Sequence, residues 1–539
     1  DHNDRRNSRG HERSAARFRA ADNPTDRRRS AQAPSQRRKG TDPARMAAYD
    51  TLRAVDTSDS YANLVLPPML RKRHITGRDA AFATELAYGT LRLRGRYDAI
   101  LTHCTDRPLD AIDAPLLDVL RLGAHQVLGM RVPVHAACSE TVGLARDTVG
   151  AGPSTMVNAV LRRVADKPLE DWLTLLREAA ANETDALAAV GSHPVWITRA
   201  LREALAGDGR DPADVAALLD ADNTAPQVTV CARPGLVTPD ALTVDAPEGF
   251  DLTPGRWAPT ALTLAGGDPV RIPAVADGRA GVQDEGSQLV TLALTSVPLD
   301  GSDTRWLDMC AGPGGKAALL AALAAQRGAT LVANEVAPHR ARLVEQNLQA
   351  IPDGVATVRT GDGRDLGTDS PATFDRVLVD APCTGLGALR RRPESRWRRT
   401  PKDLTALATL QRQLLASAID ATRPGGVIAY VTCSPHLAET RFVVDDVLRK
   451  RDDVTRIDAA DTVRKVVAQT ASDNIIPLSG DGGSQADGEQ LGDRQGDVEQ
   501  ADNGRGDIGQ FGEGKHVDIQ LWPHVHGTDA MHLTLLRRL

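Results

Sequence analysis

The chain has 539 residues, more than one hydrophobic core ordinarily organises, so several domains are expected. Apolar residues at 41% and charged residues at 25% are globular values, and no apolar run approaches the ~20 residues that span a bilayer. The net charge of −6 argues against a uniformly basic nucleic-acid binder, although charge is segregated along the chain. An Arg-rich beginning without an apolar stretch predicts no secretory signal, a cytoplasmic location and no membrane partner. Six cysteines, Cys104, Cys138, Cys231, Cys310, Cys383 and Cys433, stand too far apart for the paired spacings of a zinc site or a disulfide scaffold. No metal is expected, and a functional cysteine here acts as a thiol.

Residues 1–43 read as a disordered basic tail with Arg27-Arg28-Arg29 and Arg37-Arg38-Lys39, suited to sequence-independent attraction to phosphates. Residues 44–185 carry a helical pattern, with Leu116, Val119, Leu120, Gly123 and Val127 on one face, and read as an all-α domain. Its segments Ala80–Arg92 and Asn158–Arg163 resemble the NusB-like RNA-binding helical bundle. Residues 186–300, with Ser192-His193-Pro194-Val195-Trp196 near their start, mix short apolar runs with many Pro and Gly and read as a small α/β connector. From residue 301 to 539, apolar runs alternate with helical patterns. The runs are Trp306-Leu307-Asp308, Thr330–Ala333, Ala356-Thr357-Val358, Val377-Leu378-Val379 and Val427–Val431. Such alternation predicts βαβ units and a parallel sheet in a Rossmann-like α/β domain. Within it, about 471–514 reads as a disordered acidic insertion; the fold resumes at Val517–Trp522 and closes with Leu533–Leu536.

The first strand runs into Asp308-Met309-Cys310-Ala311-Gly312-Pro313-Gly314-Gly315-Lys316, and an Ala/Leu-rich helix follows. Glycines there let backbone approach a ligand, and the helix start offers free N–H groups. The spacing fits neither the phosphate loop nor the dinucleotide fingerprint. Glu335, at the end of the second strand, is placed to accept hydrogen bonds from ribose hydroxyls, and Asp362, after the third, to receive an adenine amino group. The fourth strand leads to Asp380-Ala381-Pro382-Cys383-Thr384-Gly385 and the fifth to Thr432-Cys433-Ser434-Pro435, so both thiols reach one crevice if these strands are neighbours. Cytosine C5 is too weak a nucleophile to take a methyl group unaided, and a thiolate adding to C6 turns the ring into an enamine. Asp380 is suited to bind cytosine N3 and N4 and to stabilise charge as the thiolate adds. The cluster Arg390–Arg399, with Trp397 inside it, suggests a phosphate grip with a stacking surface for a base.

Asp308–Lys316, Asp380–Gly385 and Thr432–Pro435 look like the motifs of RNA 5-methylcytosine methyltransferases. With the NusB-like segment in front, residues 44–539 less the insertion resemble the RsmB/Fmu (Sun) family of 16S rRNA methyltransferases. Val282–Gln288 is similar to the segment preceding that family's catalytic domain. The resemblance implies that Cys433 is the nucleophile and that Cys383 assists release of the methylated base. It further implies that Cys310–Lys316, Glu335, Asp362 and Asp380 hold S-adenosylmethionine, and that the partner is RNA, 16S rRNA in the family, with no obligate protein partner indicated. Ala317, where the family usually has Thr, and Met531-His532, where aromatic residues are common, depart from the pattern. Two other readings compete: a DNA-type cytosine methyltransferase with Cys383 as nucleophile, and an RNA-binding assembly or antitermination factor with an inactive methyltransferase fold.

Overall fold

A computed structural model describes residues 41–58, 60–472, 511 and 517–539. The basic tail to residue 40 and nearly all of the acidic stretch lie outside the described residues. The N-terminal bundle is built from helices that include Pro43–Ser58, Gly77–Arg92, Ala114–Leu128, Val134–Thr148 and Ser154–Ala165. Leu116, Val119 and Leu120 are buried in its core as their spacing predicts, and Val127 packs against it half-buried. At Gly123 a Cβ would lie 2.6 Å from the Leu161 side chain, so glycine is what lets two helices approach this closely.

Helical structure continues past residue 185 through Glu183–Gly191, Val195–Gly207 and Val215–Asn223 before the connector sheet begins. That sheet contains β1 (Val228–Ala232), β2 (Asp251–Pro254), β3 (Ala261–Ala265) and β4 (Ala280–Val282) in the order β2-β3-β1-β4, and its pairings are antiparallel. The helix Glu285–Ser296, read from sequence as part of the connector, packs instead on the larger sheet that follows. Leu289, Val290 and Ala293 share one apolar cluster with Leu319, Ala322 and Ala429. Asp284 caps this helix by accepting the Gly286 N–H at 2.9 Å.

The larger sheet comprises β5 (Arg305–Asp308), β6 (Thr330–Glu335), β7 (Ala356–Thr360), β8 (Phe374–Asp380), β9 (Thr422–Thr432), β10 (Val454–Ile457), β11 (Ile519–Gln520) and β12 (His532–Arg538). Strands β7-β6-β5-β8-β9 run parallel, as expected, and β8 is buried through Val379, as a strand covered on both faces requires. Beyond β9 the sheet turns antiparallel: β12 pairs with β9, and β10 and β11 with β12. The order reverses between β5 and β8, which opens a crevice at the carboxyl ends of the central strands. One residue of the predicted acidic insertion belongs to the core. Phe511 is buried, packs edge-on against Trp257 and stacks on His526, with centroids at 4.6 and 5.2 Å. No helix among the described residues is long and apolar enough to cross a membrane.

Candidate active site

The glycine-rich loop crosses the top of β5 and is fixed from β6. Ala311 donates its N–H to the Asn334 carbonyl at 2.8 Å, and Gly312 donates to Glu335 Oε2 at 3.0 Å. A Cβ on Gly312 would fall 2.3 Å from that carboxylate, and Gly314 has φ +116°, so glycine is required at both positions. Glu335 also accepts the Ala337 N–H at 3.0 Å and faces Arg340 at 3.5 Å. Its carboxylate therefore shapes the loop. Asn334, absent from the sequence reading as a site residue, donates to Met309 O and Gly361 O, each at 3.0 Å, tying the loops after β5 and β7 together. Asp362 is oriented by its neighbour: it accepts the Arg364 N–H at 2.9 Å, and the guanidinium of Arg364 holds its carboxyl below the usual range.

Behind the loop, Asp308 is fully buried, and neither its carboxylate oxygens nor Asn334 Oδ1 has a hydrogen-bond partner among the described residues. Burial, reinforced by Asp380, pushes the Asp308 carboxyl up to about 8. Bare loop backbone, a carboxylate at the next strand end and the unpartnered Asn334 Oδ1 fit a polar ligand that carries hydroxyl or amino groups.

At the switch point Lys316 Nζ donates to Asp380 Oδ2 at 2.9 Å. Burial works against the lysine's charge, but Asp380, Cys433 and Asp308 outweigh it and hold its pKa above the ordinary value. Because β8 and β9 are neighbours, Cys383 and Cys433 meet with their Sγ atoms 3.3 Å apart. The two thiols are not equivalent. A hydrogen bond from Cys383 lowers the Cys433 pKa against its burial, with help from Lys316 and Arg392, whereas Cys383 is raised well above the ordinary value by that same bond and by burial. Of the two, Cys433 is the thiol whose ionisation the surroundings favour. Cys310 is pushed well up by burial and surrounding carboxylates, as befits a thiol that does no nucleophilic work.

The arginine-rich stretch does not form the exposed RNA surface that its composition suggests. Arg390 and Arg391 pair with Asp284 and Asp529, joining the connector and the C-terminal segment to the Cys383 loop. Arg396 is fully buried and donates to Arg92 O, Ser192 O, Asn223 Oδ1 and Asp222 O at 2.7, 3.0, 2.8 and 2.8 Å. Arg398 reaches Val55 O and Ser60 O, both at 2.6 Å, and a Cβ on Gly95 would lie 2.5 Å from the Trp397 ring. The segment is a latch between domains; Arg392, over the Tyr61 ring at 4.8 Å, is its exposed member. Ala317 and Met531 are both buried in the main apolar cluster, and His532 lies opposite Thr432 in the register of β9 and β12.

A family model described as 16S rRNA methyltransferase RsmB/F matches residues 298–537, and one described as the NusB family matches residues 42–166. A Mycobacterium tuberculosis protein named as a methyltransferase is 49% identical over 93% of this chain and 98% of its own length. The ribosomal RNA small subunit methyltransferase B of Pseudomonas putida is 32% identical over 77% of this chain and 91% of that protein. The chain belongs to the RsmB/F methyltransferase family. As an RsmB/F protein it is an S-adenosylmethionine-dependent RNA methyltransferase carrying an N-terminal NusB domain. The crystal structure of PH0851 shares the fold, with a TM-score of 0.67 at 17% identity over 92% of this chain and 98% of that one.

Proposed function

We propose that this RsmB/F methyltransferase transfers a methyl group from S-adenosylmethionine to C5 of a cytosine in 16S rRNA, with Cys433 as the covalent nucleophile. The observation that carries this reading is the contact of the two thiols, 3.3 Å apart, at adjacent strand ends beside the Lys316–Asp380 pair. Cys310–Lys316, Glu335, Asp362 and Asp380 would hold the methyl donor. When bound, that donor supplies an electrophilic methyl group. Cys433 Sγ adds to cytosine C6, the ring electrons move toward C5 and N3, and N3 takes up a proton from the Lys316–Asp380 pair through the Asp380 carboxyl. C5 would then bond to the methyl carbon as that carbon's bond to the donor sulfur breaks, the electron pair staying on sulfur. The C5 proton must leave before the C6–S bond breaks and Cys433 departs as a thiolate.

Cys383, whose Sγ lies 3.3 Å from that of Cys433, would be the base that takes that proton. Its hydrogen bond to Cys433 and its burial both raise its pKa; formation of the C6–S bond would remove the first and leave the second. The reading is tested by transfer of tritiated methyl groups to 16S rRNA or assembling subunits, and by bisulfite sequencing of rRNA from a deletion strain. Loss of protection at a single cytosine is the expected result; an unchanged methylation map overturns the reading.

A further inference from the structure

Glu439 lies six residues beyond Cys433 and is fully buried. Its Oε1 accepts the Thr384 N–H at 2.8 Å and Gln411 Nε2 at 3.2 Å, and its Oε2 accepts the Thr384 hydroxyl. Gln411, on the helix Pro401–Ala421, also donates to the Pro382 carbonyl at 2.8 Å. Thr384 Oγ1 lies 3.2 Å from Ser434 Oγ, and the Tyr430 hydroxyl donates to the Glu439 carbonyl at 2.7 Å. A carboxylate buried this deeply is tolerated only where donors fill its lone pairs. Here the donors come from the loop after β8 and from the helix behind it, while the carboxylate itself comes from the loop after β9.

Satisfying Glu439 therefore requires those loops to be side by side. Thr384 follows Cys383 and Ser434 follows Cys433, so the bonds that satisfy the carboxylate also set the two thiols against each other. A second clasp acts in the same sense, since Gly387 donates its N–H to the Cys433 carbonyl at 2.8 Å.

We propose that Glu439 is a positioning residue whose carboxylate clamps the Cys383 loop onto the Cys433 loop and so governs the release step. The clamp itself is independent of the reaction; its effect on release rests on the covalent cytosine reading. Dibromobimane, which fluoresces only after bridging two neighbouring thiols, reads the clamp without any RNA. In Glu439→Ala the bridging rate at Cys383 and Cys433 should fall roughly ten- to a hundredfold, the cost of losing charge-assisted buried hydrogen bonds. Glu439→Gln should stay near wild type, because the amide oxygen still accepts the Thr384 N–H and the threonine hydroxyl can reverse its role. With rRNA and S-adenosylmethionine, Glu439→Ala should transfer methyl groups in its first turnover and then accumulate a denaturation-resistant protein–RNA adduct, rescued by Gln. A residue needed only for folding would lower all activity with no such adduct.

Should Glu439→Ala fail to fold, Thr384→Val removes the hydroxyl's contacts with Glu439 and Ser434, keeps the Thr384 N–H bond, and should show the same changes in smaller degree. Wild-type bridging rates in folded Glu439→Ala, or in Thr384→Val, overturn the proposal even if adducts form elsewhere. Reduced bridging with no adduct in any variant, Cys383→Ala included, leaves the clamp standing and overturns the covalent reading.

Discussion

Replacing Arg396 by Ala separates an interdomain latch from an RNA grip. The guanidinium makes four hydrogen bonds at 2.7–3.0 Å, to acceptors on the N-terminal bundle and the connector helices. Bonds from a charged donor contribute about 1.5–3 kcal/mol each, so four of them amount to roughly 6–12 kcal/mol before any offset. Burial lowers the pKa of Arg396 to about 10, and relief of that unfavourable desolvation offsets roughly 3 kcal/mol. The difference is roughly 3–9 kcal/mol, and a loss in its lower part, about 3–5 kcal/mol, is expected because that is the usual cost of removing one partner from a buried charged network. Because several domains unfold, the readouts are the first thermal transition and the rate of proteolysis in the connector. Both should change sharply, while the dependence of RNA affinity on salt should not. Arg392→Ala should do the opposite: no loss of stability, and a log–log salt slope smaller by about 0.7–0.9, the loss of one phosphate contact. Unchanged stability in Arg396→Ala together with a flattened salt slope would refute the latch.

Glu335→Ala should weaken S-adenosylmethionine about ten- to a hundredfold by calorimetry, since it removes both a ligand contact and the bond that fixes Gly312, and should leave RNA affinity intact. Unchanged cofactor affinity would sink the assignment. Deleting 474–508 should leave the melting temperature close to wild type because that stretch is poor in apolar residues, whereas Phe511→Ala should cost about 3–5 kcal/mol from its packed position. A cooperative loss of folding in the deletion would show that the segment is structural. Iodoacetamide alkylation of Cys433 should rise with pH and reach half its maximum below 9.0, since the hydrogen bond from Cys383 favours the thiolate. Removing that donor in Cys383→Ala should move the profile to higher pH; a shift to lower pH would contradict the stated cause.

The parallel half of the sheet and the cofactor loop were legible because strand-end residues sit at fixed offsets from apolar runs. Asp308, Glu335, Asp362 and Asp380 could be read in register before any contact was known. The antiparallel extension was not legible: the leucine run Leu533–Leu536 has the same apolar character in either direction, and its partner β9 lies about a hundred residues earlier. The arginine cluster misled for a related reason. A charge run does not name its partners, and Arg390 finds Asp284 and Asp529 at separations of 106 and 139 residues. Most of the acceptors of Arg396 are backbone carbonyls, which leave no trace in side-chain identity. Glu439 was missed because nothing in Ser434–Ala438 marks it; its role appears only once Thr384 and Gln411 are brought to it from other elements. The contact of Cys383 and Cys433 stands between these cases: sequence made it conditional on adjacent strands, and β8 beside β9 met the condition.

A denaturing gel of each cysteine variant, incubated with 16S rRNA and S-adenosylmethionine, decides whether Cys433 attacks and Cys383 releases. Cys383→Ala should trap a slow-migrating protein–RNA band that survives denaturation, because methyl transfer proceeds while elimination stalls. Cys433→Ala should give neither adduct nor methylated product, because no C6–S bond can form. An adduct that persists without Cys433 and vanishes without Cys383 would contradict the account and make Cys383 the nucleophile.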